Sequence, residues 1–207
     1  VPGFTLAEMV ITVGVFLFIF TGVWISIQIF GLRIYALAAT KLVATAGGRQ
    51  ALNHIRDQIR EGKMVYVGTC SSVSSSSFQL ITNAPQQGNA LIIYPTTNAT
   101  AYSVYYLDTS TGTNCLVQFN ATNVAGNWTI TYTNTLTKYV TNQIVFDARD
   151  WNNNIVMSEQ SLDNRLLIEV TMQFSQWEYP IAFVGGVGLN AYDYYQLRTR
   201  VFRRAWN

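Results

Sequence analysis

The chain has 207 residues, a formal net charge of +2 and a charged fraction of 12%, about half the share usual in soluble domains. That length allows one domain of ordinary size plus an appendage. So small a positive excess does not argue for nucleic acid, and one histidine with two cysteines makes a poor metal site.

The first element is apolar. From Phe4 to Leu32 hydrophobic residues dominate, no charge occurs between Met9 and Leu32, and Arg33 ends the run. The segment exceeds the apolar stretch of a signal peptide, about 7–15 residues, and is long enough to cross a bilayer. Gly14, Gly22 and Gly31 interrupt it, and small residues of this kind let helices approach closely in lipid. Glu8 stands alone at its head. A carboxylate at the edge of lipid is costly without a partner, and none is evident nearby in the sequence, so its partner is expected on another chain. Six of the 13 basic residues lie between Arg33 and Lys63, a basic flank suited to anionic lipid.

Past Arg33 the pattern turns amphipathic. Ile34, Ala38, Leu42, Thr45, Leu52, Ile55 and Ile59 recur at helical spacing, one stripe along a continuing helix. Gly47-Gly48 invites a kink or short break, and Gly62 is the expected stop. From Met64 the period becomes two, predicting strands at Met64–Val67, Phe78–Ile81, Leu91–Tyr94, Ser103–Leu107, Leu116–Phe119, Trp128–Tyr132, Gln143–Phe146, Leu166–Phe174 and Tyr195–Phe202. Ser71–Ser77, Gly112–Asn114, Asn120–Asn127 and Asn152–Asn154 read as loops or turns, and Gly185-Gly186-Val187-Gly188 as a flexible turn. The expected fold class is α+β: a long N-terminal helix, half apolar and half amphipathic, packed on an antiparallel sheet. Residues 4–62 form the helix and 63–207 a β-rich head.

Between Met64 and Thr137 the sole charge is Asp108; Ser, Thr, Asn and Gln supply the polarity. Such a surface has little charge repulsion to oppose self-association, which suits a subunit that packs on its own copies, a sugar-coated chain or a low-charge secreted domain.

Gly3-Phe4-Thr5-Leu6-Ala7-Glu8-Met9-Val10 resembles the processing signature of type IV pilins and pseudopilins, and the likeness extends loosely along the helix to about residue 61. The resemblance implies a prepilin peptidase cutting between Gly3 and Phe4, which makes residues 1–3 a leader remnant, followed by methylation of the Phe4 amine. It further implies that Glu8 meets that amine on a neighbouring subunit and sets register in a helical filament. The implied partners are copies of the chain, the peptidase, an assembly platform and an ATPase motor. The implied location is the inner membrane before assembly and the cell surface after it. The proline that many pilins carry in this half is absent. Three patches, Gln143-Ile-Val-Phe-Asp-Ala-Arg-Asp, Arg165-Leu-Leu-Ile-Glu-Val-Thr-Met and the segment from Arg198 to Asn207, are similar to J-type pseudopilins and W-type minor pilins. A minor subunit of a secretion or pilus machine is therefore the first alternative, and a tip adhesin or DNA-binding module the second.

Other signals are more general. Cys70 and Cys115, in an exported domain, are expected to form a disulfide worth about 3–4 kcal/mol. Asn98, Asn120 and Asn127 head N-glycosylation triplets. Arg198, Arg200, Arg203 and Arg204 are candidates for a solvated strand face, an inter-subunit ion-pair surface or a DNA contact, in that order. His54 is placed to meet Asp57 one turn away, but no nucleophile or paired-carboxylate pattern attends it. No enzyme activity and no cofactor is expected.

Overall fold

The computed structural model describes residues 5–97, 99–110, 112–159, 167–177 and 192–202, with the backbone alone for Arg33, 36–45, 175–177 and 192–194. It contains an N-terminal helix and antiparallel sheets, an α+β fold. The chain divides into two compact units, Val1–Val43 and Ala44–Asn207. The division falls inside the helix rather than at its end, because the amphipathic half belongs to the head.

Helix α1 runs from Leu6 to Glu61 without a break. In the first unit, Leu6–Leu32 has the length and hydropathy to cross a membrane, and none of it is buried. In the second unit Ala51, Leu52, Ile55 and Ile59 are buried, at the spacing that keeps them on one helical face. The expected break at Gly47-Gly48 does not occur. Gly48 is instead a point of close approach, where an added Cβ would lie 2.9 Å from Leu197 and 3.0 Å from Phe174. The helix stops at the expected glycine, whose N–H donates to the Gln58 carbonyl at 2.9 Å.

Among the described residues ten strands follow: β1 (Met64–Thr69), β2 (Gln79–Leu80), β3 (Gln87–Gly88), β4 (Ala90–Tyr94), β5 (Ala101–Asp108), β6 (Cys115–Val124), β7 (Asn127–Lys138), β8 (Phe146–Arg149), β9 (Leu167–Trp177) and β10 (Tyr192–Phe202). They form a six-stranded sheet in the order β2-β1-β4-β5-β6-β7 and a four-stranded sheet in the order β10-β9-β8-β3. Three expectations need correction. The Asn120–Asn127 stretch is not a loop: β6 and β7 continue through it to a two-residue turn at Ala125-Gly126, both with positive φ, the geometry that matches strand twist. The strand expected at Gln143–Phe146 begins only at Phe146. The two-residue β3 falls in none of the predicted strands.

One core lies between α1 and both sheets. Ile55 and Ile59 join Val67, Leu91 and Tyr105 of the large sheet with Phe146, Val170, Met172 and Phe174 of the small one. A second cluster covers the opposite face of the large sheet around Ala90, Val104, Phe119 and Ala121. Across that face the rings of Tyr94, Tyr102 and Trp128 stand in series, with centroids 5.7 and 4.6 Å apart. Aromatic contacts of this kind add to plain area burial.

Two glycines give opposite expectations for the same methyl group. At Gly47 a Cβ would meet Thr137 Oγ1 at 3.7 Å and the Leu136 carbonyl oxygen at 4.0 Å, both ordinary contacts, so Gly47→Ala should raise stability by about 0.5–1 kcal/mol through helix propensity. At Gly88 a Cβ would stand 2.0 Å from the Gly68 carbonyl oxygen. Gly88→Ala should therefore cost at least about 2 kcal/mol. Urea midpoints of the detergent-solubilised chain measure both.

Candidate functional site

The helix start and the outer face of the small sheet hold the chain's least expected polar groups. Thr5 caps α1. Its amide donates to Glu8 Oε2 at 3.0 Å, its hydroxyl donates to the same oxygen at 2.9 Å, and the Glu8 amide points back at Thr5 Oγ1 at 3.4 Å. This is a capping box, in which a threonine and a glutamate three residues on satisfy each other's orphan donors. The carboxylate therefore does have a partner nearby in the sequence, contrary to the expectation above. The Thr5-x-x-Glu8 spacing was the signal for it. The other oxygen, Oε1, is not needed for the cap. Gly3 and Phe4, where processing is expected, lie outside the described residues.

Beyond the cap the span satisfies its own hydroxyls. Thr12, Thr21 and Ser26 each donate to a carbonyl one turn earlier, those of Glu8, Leu17 and Gly22, as a backbone without water requires. Its large side chains, Phe16, Phe18, Ile19, Trp24 and Phe30 among them, are all exposed. A continuous apolar surface of this length exceeds what soluble monomers present.

On the small sheet, Glu169 of β9 is 2% exposed although it points away from the core. Register explains its company: Gln87, Asp147, Glu169 and Arg200 lie opposite one another across β3, β8, β9 and β10. Arg198 and Arg200 reach Glu169 at 2.5 and 2.6 Å, and Arg149 lies at 3.4 Å while also bonding Asp147 at 3.2 Å. Burial alone would raise the Glu169 pKa. The hydrogen bonds from Arg198 and Arg200, with the field of Arg149, overcome that and hold it below the ordinary carboxylate value. The two arginines thus turn part of their donor set inward onto Glu169. Arg203 and Arg204 lie outside the described residues.

Cys70 and Cys115 are not joined to each other, which corrects the expected disulfide. Cys70 lies beside Asn89, its amide donating to the Asn89 side chain, while Cys115 lies opposite Asp108 on the far side of β5. Strands β4 and β5 intervene, and at about 4.8 Å per strand the gap is far beyond the ~7 Å limit for bridging. The Cys70 thiol sits 3.3 Å from the Ser72 carbonyl and 3.1 Å from Ser77 Oγ; that of Cys115 sits 3.1 Å from the Thr113 carbonyl.

Of the triplet asparagines, Asn127 is exposed at the hairpin turn and Asn120 is half-buried within β6, its Oδ1 accepting from Gln118 Nε2 at 3.1 Å. Asn98 lies outside the described residues, as does the Gly185–Gly188 turn. His54 does not engage Asp57. Its Nε2 lies 3.0 Å from Gln118 Oε1 and 3.3 Å from the Tyr105 hydroxyl, while Asp57 pairs with Arg56. Among the described residues no group of three His, Cys, Asp or Glu could hold a metal ion.

No protein-family model, no curated protein and no solved structure matches the chain.

The Glu169 cluster generates a pH signature. Its folded pKa is depressed, so its contribution is complete above the unfolded value of about 4.3 and is lost as pH falls through the folded one. Glu169→Gln should destabilise the head by about 2–3 kcal/mol near neutrality, since arginines are left without their counter-charge. It should also flatten the acid limb of a stability-against-pH curve measured by urea unfolding.

Proposed function

We propose that the chain is the structural subunit of a type IV pilus-like filament, assembled by helix bundling from an inner-membrane pool. The observation that carries this reading is one acidic residue, Glu8, at the head of an apolar helix span with no buried side chains, set in the Gly3-Phe4-Thr5-Leu6-Ala7-Glu8 sequence. Apolar side chains exposed on every face gain nothing by leaving lipid for water. They lose nothing, however, by leaving lipid for a bundle of identical helices, where packing decides.

In this reading a peptidase cuts between Gly3 and Phe4, and the new Phe4 amine of one subunit meets Glu8 of the next. The cap and the ion pair are compatible, since Thr5 uses only one of the two carboxylate oxygens. In a medium that excludes water a charge without its counter-charge is strongly penalised, so the pair fixes axial register. The head, with few charges to repel its copies, coats the outside. A minor pseudopilin of a secretion or pilus machine would share this chemistry and differ in stoichiometry: purified filaments made mainly of this chain favour the major subunit. A nucleic-acid-binding tip draws less support, because Arg198 and Arg200 already hold Glu169.

The cap allows charge and helix start to be tested apart. Glu8→Gln keeps a capping box and removes the charge; it should lower filament yield by about tenfold or more while the head stays folded. Thr5→Ala loses the capping hydroxyl and keeps the charge, and should assemble. Wild-type yield from Glu8→Gln, counted by electron microscopy of sheared filaments, would refute the register role.

A further inference from the structure

The side of the large sheet that faces α1 changes character from one edge to the other. Along one cross-strand row it reads Val67, Leu91, Tyr105, Gln118, Asn134, from β1 through β4, β5 and β6 to β7. The apolar stripe of the helix covers the apolar end. Over the polar end the helix presents Gln50, His54 and Gln58, spaced i, i+4, i+8 on a neighbouring face, and an open groove of about 620 Å³ remains between them and β6–β7. Asn120 and Tyr132, opposite each other on β6 and β7, extend its floor and rim.

We propose that this groove binds a neutral saccharide. No charged side chain lines it among the described residues, so it offers no counter-charge to an anionic or cationic ligand. An apolar occupant would cut the amides of Gln50, Gln58 and Asn134 off from water without replacing those bonds, a loss at each donor and acceptor. A ligand of alternating hydroxyl donors and acceptors satisfies them instead, and the 48% exposed Tyr132 offers a ring for the C–H face of a sugar.

The polar floor is also set in advance. Gln118 is only 5% exposed. Its Oε1 can only accept, so His54 Nε2 carries a proton toward it at 3.0 Å, and its Nε2 donates to Asn120 Oδ1 at 3.1 Å. The imidazole is steadied edge-on against the Tyr105 ring, centroids 5.9 Å apart. Donors and acceptors whose directions are fixed before binding cost little to organise. This inference does not rest on filament assembly, since every residue named belongs to the head unit.

The test titrates the detergent-solubilised full chain with chitotriose, maltotriose, cellotriose and mannotriose, read by saturation-transfer NMR and calorimetry. At least one should bind saturably in the millimolar range or tighter. Tyr132→Ala, at the exposed rim, and Gln118→Leu, at the floor, should each weaken that binding by about tenfold, while Arg198→Ala leaves it unchanged. Circular dichroism confirms folding, and Tyr132→Ala decides if Gln118→Leu fails to fold. The proposal is overturned if none of the four sugars binds at millimolar concentration. It is equally overturned if binding stays within about twofold of wild type in the folded variants.

Discussion

The buried face of α1 at Ala51, Leu52, Ile55 and Ile59 is the contact on which the head depends. Among the described residues the two sheets share no strand ladder, yet their inward residues meet in one cluster, to which the helix contributes its buried face. Burying each of the three larger side chains is worth about 1.5–3 kcal/mol, but the greater effect is geometric. Val67, Leu91 and Tyr105 from one sheet, with Phe146, Met172 and Phe174 from the other, need a third apolar surface to close against. Gly48 lets the helix come near enough to supply it.

Ionic interactions are concentrated elsewhere. In a chain with so few charges, Asp147, Arg149, Glu169, Arg198 and Arg200 gather on the outer face of the small sheet. A buried ion pair seldom adds net stability over a well-packed apolar substitute. Here it specifies alignment: only when Arg200 lies opposite Glu169 do two guanidinium groups flank the same carboxylate. A slip of one residue would turn those arginines into the core. Amides and hydroxyls do the remaining polar work, from the Thr5 cap to the His54–Gln118–Asn120 chain.

Much of the fold was legible in the sequence, because periodicity is local. The apolar span, the amphipathic stripe, the glycine stop and eight of the strands show in runs of a few residues, while β8 lies three residues further along than its apolar run suggests. The misses have physical reasons. β3 is two residues long, too short to show a period. The Asn120–Asn127 stretch is composed like a loop, and strand pairing with its neighbours overrides that composition. The capping box is visible as Thr5-x-x-Glu8, but a carboxylate at the head of an apolar span equally suits a partner on another chain, and the spacing alone does not choose between them. Glu169 looked ordinary within Leu166-Leu167-Ile168-Glu169-Val170; its burial comes from cross-strand register, which a linear sequence does not display. For the same reason the spacing of Gln50, His54 and Gln58 gave no hint that Gln118 and Asn120 lie across from them.

The separation of Cys70 from Cys115 has a practical side. A head held together by strand ladders and two apolar clusters, with no covalent cross-link between those two sulfurs, needs no oxidant to join them. The same conformation is open to it in a reducing compartment and in an oxidising one. Added thiol reagents should then leave its melting behaviour where it was.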